Sequence, residues 1–214
     1  MNTLRINEIF LSVQGESSFA GWPCVFVRTT GCPLRCTWCD TKYAYSEGKD
    51  MPLDEVVERA LSFGVQHIEA TGGEPLAQPA MPALLKALCD KGKTVLLETS
   101  GALDVGTVDD RVHDIMDIKC PDSGMTDRMR LENIPLLKAK DDVKFVLASR
   151  KDYEFARRVI REYKLAERCT VLLSTAFGLV DRKSVVEWIL EDRLPVRFQL
   201  QMHKFIWAPD QRGV

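Results

Sequence analysis

The fold is decided by the stretch Val25-Phe26-Val27-Arg28-Thr29-Thr30-Gly31, a short apolar run followed at once by polar residues and a glycine. β-Branched and aromatic residues in a run of this length are typical of a buried strand. The same succession recurs at five later places, namely Thr71-Gly72-Gly73-Glu74, Glu98-Thr99-Ser100-Gly101, Lys119, Ser149 and Ser174-Thr175. The sequence therefore indicates several strands that all end in polar residues.

Helical patterns separate most of these strands, which predicts a parallel sheet with helical crossovers. The predicted strands are residues 25–27, 67–70, 95–97, 115–118, 143–147, 170–173 and 196–200. Four helices are predicted from the spacing of apolar residues. The first begins at Pro52, the second covers residues 83–91 and ends at Gly92, and the third covers residues 155–163. The fourth is indicated by a capping-box pattern at Ser184 and Glu187.

Two architectures fit this alternation: an open doubly wound sheet and a β/α barrel. Barrel enzymes collect functional residues at the carboxyl ends of many strands, whereas an open sheet concentrates them at one switch point. Polar ends on so many strands favour the barrel. Because a complete eightfold barrel needs about 250 residues and the chain has 214, we expect an α/β fold: a partial, incomplete parallel TIM-like barrel in a single domain, residues 1–214.

The composition argues against a nucleic-acid or membrane partner. Lys and Arg number 29 against 31 Asp and Glu, and binding to a nucleic-acid backbone needs clustered excess cation. No window approaches 18 uninterrupted apolar residues, so no transmembrane helix is predicted. An odd count of seven cysteines, without an export signal, indicates a reducing compartment and a cytoplasmic protein.

The cysteines divide into two groups. Cys24, Cys89, Cys120 and Cys169 are scattered among apolar segments, and we expect them to be buried packing residues. The other three lie in the loop Cys32-Pro33-Leu34-Arg35-Cys36-Thr37-Trp38-Cys39, with the spacing C-x3-C-x2-C. Such close spacing lets three thiolates converge on one small inorganic centre.

Three cysteines are too few for a closed metal site. Structural zinc takes four ligands, and a conventional electron-transfer iron–sulfur cluster takes four cysteines. The three histidines, His67, His113 and His203, all lie far from the loop in sequence. One metal position is therefore left open, as a catalytic centre requires. An open iron–sulfur cluster is the favoured interpretation, with zinc bound to a remote fourth ligand and ordinary free thiols as alternatives.

The cysteine loop, with an aromatic residue before its last cysteine, resembles the radical S-adenosylmethionine superfamily. The stretch Thr71-Gly72-Gly73-Glu74-Pro75 is similar to the GGEP motif of that superfamily. The resemblance implies a barrel of the radical S-adenosylmethionine type and a 4Fe–4S cluster held by Cys32, Cys36 and Cys39. It also implies that the open iron chelates S-adenosylmethionine. Two glycines that allow close backbone approach and an anionic Glu74 suit the methionine ammonium.

The N-terminal stretch indicates which family within this superfamily the sequence resembles. Ile9-Phe10-Leu11-Ser12-Val13-Gln14-Gly15-Glu16-Ser17 is similar to the F-x-S-x-Q-G-E segment of the family that forms 7-carboxy-7-deazaguanine in 7-deazapurine (queuosine) biosynthesis. This resemblance implies a ring contraction of 6-carboxy-5,6,7,8-tetrahydropterin with loss of ammonia. It further implies that the reaction begins when a 5′-deoxyadenosyl radical takes hydrogen from C6, and that Mg2+ assists at the substrate carboxylate.

The resemblance also implies roles for individual residues. Substrate contacts are expected from Val13, Gln14, Gly15, Arg28, Thr71 and Val214. Mg2+ is expected at the hydroxyl of Thr41, with Asp40 holding metal-bound water. Contacts with S-adenosylmethionine are expected from Trp38, Cys39, Asp40, Gly73, Glu74, Ser100, Asp117, Lys119, Ser174 and Phe177. His203 and Lys204 have no assigned role, and a structural histidine is the simpler interpretation.

Plainer interpretations of the same residues stay open at this point. Gln14-Gly15 also suits an ordinary turn, Arg28 a structural ion pair, and Asp40-Thr41 a helix cap or a turn. The hydroxyl of Thr71 also suits a role in closing the turn after its strand. Polar residues at later strand ends are common at any barrel rim, and residues 210–214 are typical of a frayed chain end.

The implied partners are a small pterin substrate, a second copy of the chain in a homodimer, and a flavodoxin-like or ferredoxin-like reductant. Two other functions compete. A glycyl-radical activating enzyme shares the cysteine loop and the small size, but it acts on a protein and needs no Gln14-Gly15-Glu16 segment. A non-enzymatic iron–sulfur sensor or electron carrier would not respond to S-adenosylmethionine.

Overall fold

The structure is a computed structural model, and it describes residues 2–214. Its strands are β1 (Thr3–Val13), β2 (Pro23–Thr29), β3 (Lys49–Pro52), β4 (His67–Gly72), β5 (Thr94–Thr99), β6 (His113–Asp117), β7 (Asp142–Leu147), β8 (Thr170–Thr175) and β9 (Arg197–Phe198). Its α-helices are α1 (Leu53–Ser62), α2 (Met81–Asp90), α3 (Arg150–Glu162), α4 (Arg182–Asp192) and α5 (His203–Ile206).

All nine strands form one sheet in the order β3-β1-β2-β4-β5-β6-β7-β8-β9. The pairs from β2-β4 through β8-β9 are parallel, whereas β1 runs antiparallel to both β2 and β3. The sheet does not close on itself, since β3 and β9 are its two edges. The expected partial parallel barrel is therefore confirmed, with two antiparallel strands added at one margin.

Two apolar clusters hold the helices against the sheet. In the first, Leu84, Leu85 and Leu88 of α2 pack with buried residues of α1 and of β1, β2, β4 and β5. In the second, Tyr153 and Ile160 of α3 pack with α4 and with β6, β7 and β8. Since the helices cover the outer face of the sheet, the polar strand ends are left to form the mouth of the barrel.

The sequence analysis did not predict strands β1 and β3. β1 carries Arg5, Asn7 and Glu8 among its apolar residues, so it shows no clean alternation, and β3 is only four residues long. The strand predicted over residues 196–200 is also shorter than expected. Only Arg197–Phe198 pairs with β8, because the chain then leaves the sheet.

The helix ends follow local chemistry. The predicted end of α2 at Gly92 is confirmed: this glycine has φ +74°, a conformation that only glycine adopts without strain. The capping box predicted at Ser184 is wrong. α4 begins at Arg182, and Asp181 is its N-cap, with its carboxylate accepting from the Ser184 amide at 3.0 Å. Asp and Ser are comparable N-caps, and here the earlier residue takes that place.

The four scattered cysteines are buried, as predicted, and they form no disulfides. No helix within residues 2–214 is long and apolar enough to cross a membrane.

Candidate active site

A cavity of about 260 Å3 opens at the carboxyl ends of the parallel strands. It brings together predicted site residues from across the chain. These are Val13, Gln14, Gly15, Arg28, Cys32, Cys36, Trp38, Cys39, Asp40, Thr41, Thr71, Gly73, Ser100, Asp117, Lys119, Phe177 and Val214. Two predicted residues, Glu74 and Ser174, are fully buried and do not line it.

The cysteine loop follows β2 and is fastened at two points. The side chain of Leu34 is buried, and Thr37 donates from Oγ1 to the carbonyl of Asp122 at 2.6 Å. All three cysteines of the loop are half-buried and line the cavity. Burial is the main factor that raises the pKa of the Cys32 and Cys36 thiols.

The geometry of the loop bears on the kind of metal centre. Among residues 2–214, no three His, Cys, Asp or Glu side chains form a group that could hold a single metal ion. A tetrahedral zinc needs its ligands gathered around one point. In an iron–sulfur cluster each cysteine binds a different iron, so the thiolates are spread more widely. The loop therefore suits a multi-iron cluster better than zinc.

The two glycines of the GGEP-like motif let β4 end directly against β2. A Cβ atom on Gly72 would collide with the backbone of Thr29, and one on Gly73 would collide with the carbonyl of Gly31. The Glu74 amide donates to that same carbonyl at 2.8 Å. This close approach sets the motif beside Cys32, at the start of the cysteine loop.

The carboxylate of Glu74 has a different environment from the one the motif predicted. It is fully buried and accepts hydrogen bonds from the Leu76 amide at 3.1 Å, Thr99 Oγ1 at 2.9 Å and the Ser100 amide at 2.8 Å. Since nearby donors already occupy both oxygens, Glu74 joins the ends of β4 and β5 rather than facing the cavity. The expected contact of Glu74 with the methionine ammonium stays a prediction.

Gln14 and Gly15 form the inner wall of the cavity. The Gln14 amide donates from Nε2 to Glu69, and its carbonyl oxygen accepts from the Glu16 amide. A Cβ atom on Gly15 would collide with Nδ1 of His203, so the glycine is what allows that ring to approach. His203 is therefore a wall of the cavity, a position that sequence reasoning did not assign.

A buried charged cluster at the base of the cavity was also missed. Lys144 Nζ pairs with Glu98, lies 2.9 Å from Glu16 and 3.8 Å from Asp117, and only 4% of its side chain is exposed. Glu98 also accepts from Thr71 Oγ1 at 3.0 Å. Lys144 and Glu98 lie within β7 and β5, whose other residues are mostly apolar. Because buried parallel strands are normally continuous apolar runs, an interior Lys or Glu was the available signal.

Charge pairing sets the protonation of this cluster. Burial works to raise the pKa of Glu98, but the neighbouring Lys144 outweighs it and lowers that pKa to about 2. Burial also opposes the charged form of Lys144, yet Glu16 and Glu98 raise its pKa well above the ordinary value. For Glu69, burial and secondly the charge of Glu98 raise the pKa well above its ordinary value.

Residues 199–214, here called the C-terminal strap, cross the mouth of the cavity. Lys204 Nζ is 2.6 Å from Asp40 Oδ2, and Arg212 is paired with Glu47 at 2.9 Å. Partial burial works to raise the pKa of Asp40, but Lys204 lowers it to about 2. Asp40 also accepts from Thr41 Oγ1 at 2.9 Å. The strap is thus bonded to the segment that follows the last loop cysteine.

Comparisons with known proteins agree with this architecture. The family model described as the Radical SAM superfamily matches residues 26–179. The crystal structure of QueE from Escherichia coli is similar in fold, with a TM-score of 0.79 and 20% identity over 95% of this chain and 96% of that one. The fold and the three-cysteine site thus define a radical S-adenosylmethionine enzyme.

Comparison with individual relatives shows which family of radical S-adenosylmethionine enzymes the chain resembles. The chain is 48% identical to the 7-carboxy-7-deazaguanine synthase of Chlorobaculum tepidum, over 99% of this chain and 97% of the relative. It is 42% identical to the protein of that name from Koribacter versatilis, over 99% of this chain and all of the relative. The chain belongs to the 7-carboxy-7-deazaguanine synthase family. Members of the superfamily use a 4Fe–4S cluster with S-adenosylmethionine and need a reductant.

Proposed function

We propose that this chain converts 6-carboxy-5,6,7,8-tetrahydropterin to 7-carboxy-7-deazaguanine with loss of ammonia, as a single domain over residues 1–214. One observation carries the proposal: a single cavity joins the three loop cysteines to Arg28 and to the Gln14-Gly15 wall. The cysteines supply the place for a cofactor, and the opposite wall supplies polar groups for a heterocycle with a carboxylate.

In this proposal Cys32, Cys36 and Cys39 hold the cluster and leave one iron open to S-adenosylmethionine. Trp38, Gly73, Ser100, Lys119 and Phe177 would contact that cofactor, all of which line the cavity. When bound, the two groups supply the radical that starts the reaction. The protein residues orient the cofactor and the substrate and exclude water.

The proposed Mg2+ site consists of the Thr41 hydroxyl with Asp40 beside it. Support comes from the chemistry of the donors, since both are oxygen groups that line the cavity and lie 2.9 Å apart. Mg2+ commonly takes one or two protein oxygens and keeps several waters or substrate oxygens.

The substrate carboxylate would bind the guanidinium of Arg28, because a guanidinium matches a carboxylate bidentately. Gln14 would present backbone groups to the pterin edge, since its side-chain amide is already bonded to Glu69. Glu98 and Glu16 also line the cavity and offer acceptors to N–H groups of the ring. Val214 and the rest of the C-terminal strap would cover the bound substrate.

We infer a cytoplasmic homodimer that receives electrons from a flavodoxin-like or ferredoxin-like protein. The exposed side chains of Leu179, Phe205 and Ile206 offer apolar surface for the contact between two copies. Two exposed basic residues, Arg35 within the cysteine loop and Lys42 shortly after it, suit an acidic reductant.

The decisive assay is anaerobic. The reconstituted enzyme is incubated with 6-carboxytetrahydropterin, S-adenosylmethionine, Mg2+ and a chemical reductant, and both ammonia and deazaguanine absorbance are measured. Product that depends on S-adenosylmethionine supports the proposal. If protein with a full complement of iron formed neither ammonia nor deazaguanine, the proposal would be rejected.

A further inference from the structure

An irregularity in β1 aims one acidic side chain at Arg28. Ile6 pairs with Thr29 and Glu8 pairs with Arg28, so Asn7 is an extra residue on β1. This is a β-bulge, a feature that re-aims side chains and occurs often beside active sites. Its consequence is that Glu8 and Arg28 are direct cross-strand partners, close enough for their side chains to interact.

The contacts of Glu8 fix the guanidinium on one edge. Glu8 Oε1 accepts from Arg28 Nε at 2.7 Å and from the Tyr43 hydroxyl at 3.0 Å. The guanidinium carbon lies 5.7 Å from the ring centre of Phe10 and 5.9 Å from that of Tyr43. A carboxylate and two rings thus hold a side chain that would otherwise sample many rotamers.

The remaining donors of Arg28 are left without a protein partner. Within residues 2–214, its only side-chain hydrogen bond is the one from Nε to Glu8. Arg28 lines the cavity, whereas Glu8 does not. The two terminal nitrogens are therefore available to an anionic ligand in the cavity, and they form the planar fork that a carboxylate matches.

We propose that Glu8 is a positioning residue, which holds Arg28 so that its terminal nitrogens bind the carboxylate of the substrate. The inference rests on the proposed function, because it takes a carboxylated pterin as the ligand. Glu8 acts only through Arg28 and does not touch the substrate. If the pair of Glu8 and Arg28 were purely structural, it would stabilise the hairpin of β1 and β2 and would not affect which ligands bind.

The test compares two ligands that differ in the carboxylate alone. Dissociation constants for 6-carboxytetrahydropterin and for tetrahydropterin without the 6-carboxylate are measured anaerobically on the reconstituted enzyme with S-adenosylmethionine. We expect Glu8→Ala to weaken binding of the carboxylated ligand by about 10- to 100-fold, the usual effect of misplacing a binding group. Binding of the other ligand should stay unchanged. Glu8→Gln keeps an acceptor oxygen and should lie between wild type and Glu8→Ala.

Two further variants complete the test. Asp50→Asn removes the acidic partner of Arg5 on the other side of β1, outside the cavity, and should change neither constant. In an Arg28→Ala background, adding Glu8→Ala should cause no further loss, because the two residues act as a unit. Iron content and the thermal unfolding midpoint show that each variant is folded and loaded.

Each outcome is decisive. Equal weakening of both ligands by Glu8→Ala, unchanged binding of the carboxylated ligand, or a fully additive double variant would overturn the positioning role alone. If the iron-loaded wild-type enzyme bound neither ligand, or bound both equally, the proposed function would fail and this inference would fail with it.

Discussion

Lys204 Nζ lies 2.6 Å from Asp40 Oδ2, which bonds the C-terminal strap to the residue next to the last loop cysteine. Only 8% of the Lys204 side chain is exposed, whereas half of the Asp40 side chain is, so the pair is shielded from solvent on the lysine side only. Closure of the cavity mouth and the conformation of the cysteine loop are therefore linked by one ion pair.

Replacing Lys204 should loosen the strap. In Lys204→Met we expect faster amide hydrogen exchange in residues 200–212 and roughly tenfold weaker substrate binding, because the strap loses its anchor on the loop. Iron content should not change. Lys183→Met, which removes an exposed ion pair on α4, is the matched control. Exchange rates equal to wild type would show that the ion pair does not hold the strap.

Removing one loop cysteine should remove the cluster. Cys36→Ala is expected to stay folded but to bind close to no iron after anaerobic reconstitution, since two cysteines cannot retain a 4Fe–4S centre. The control is Cys169→Ala, at a buried cysteine away from the cavity, which should keep its iron. Iron and sulfide analysis measures both, and wild-type iron in Cys36→Ala would disprove the ligand role.

The interior charges of the barrel should matter for stability. Lys144→Met leaves the half-buried carboxylates of Glu16 and Glu98 without their buried cation. Breaking a fully buried pair costs about 3–5 kcal/mol, and the partial exposure of these two carboxylates places the loss here at the lower end of that range. We expect a loss of that order in the free energy of unfolding at pH 7.5, measured with urea. The exposed Lys86→Met, which removes a surface pair, should change it by less than about 1 kcal/mol. Similar losses in both variants would contradict the account of the cluster.

The buried carboxyl group of Asp114 should make the stability of the fold depend on pH. Burial, and secondly the charge of Asp141, raise the pKa of Asp114 from the ordinary 3.8 to about 7. Since the folded state then holds a proton that the unfolded chain has released, this group lowers stability as the pH rises from about 4 to about 7.

Asp114→Asn removes that titration. Its stability relative to wild type should therefore increase between pH 5 and pH 8, by roughly 1–3 kcal/mol. Denaturant unfolding at several pH values gives the difference, and Asp127→Asn, at an exposed position, is the control. A difference that does not vary with pH would show that Asp114 titrates normally.

Much of the fold and the cofactor end of the site were predictable from local sequence. Apolar runs with polar ends located the parallel strands, and the spacing of Cys32, Cys36 and Cys39 indicated an open cluster. Such signals are visible in sequence because each is confined to a few consecutive residues.

Other features depend on contacts between distant segments. The pairing of Glu8 with Arg28 follows from a bulge in β1, and no local pattern gives the register of a bulged strand. The carboxylate of Glu74 accepts from Thr99 and Ser100, at the end of β5 and just after it, and the residues next to Glu74 in sequence give no sign of these partners. The contact of His203 with Gly15 likewise requires the strap to cross the cavity.

The most direct test of the central claim is EPR spectroscopy of the reduced, reconstituted enzyme with and without S-adenosylmethionine. An iron that no side chain occupies should bind the cofactor, so we predict a clear change in the signal of the reduced cluster when S-adenosylmethionine is added. A spectrum that is identical with and without the cofactor, at full iron occupancy, would contradict the account.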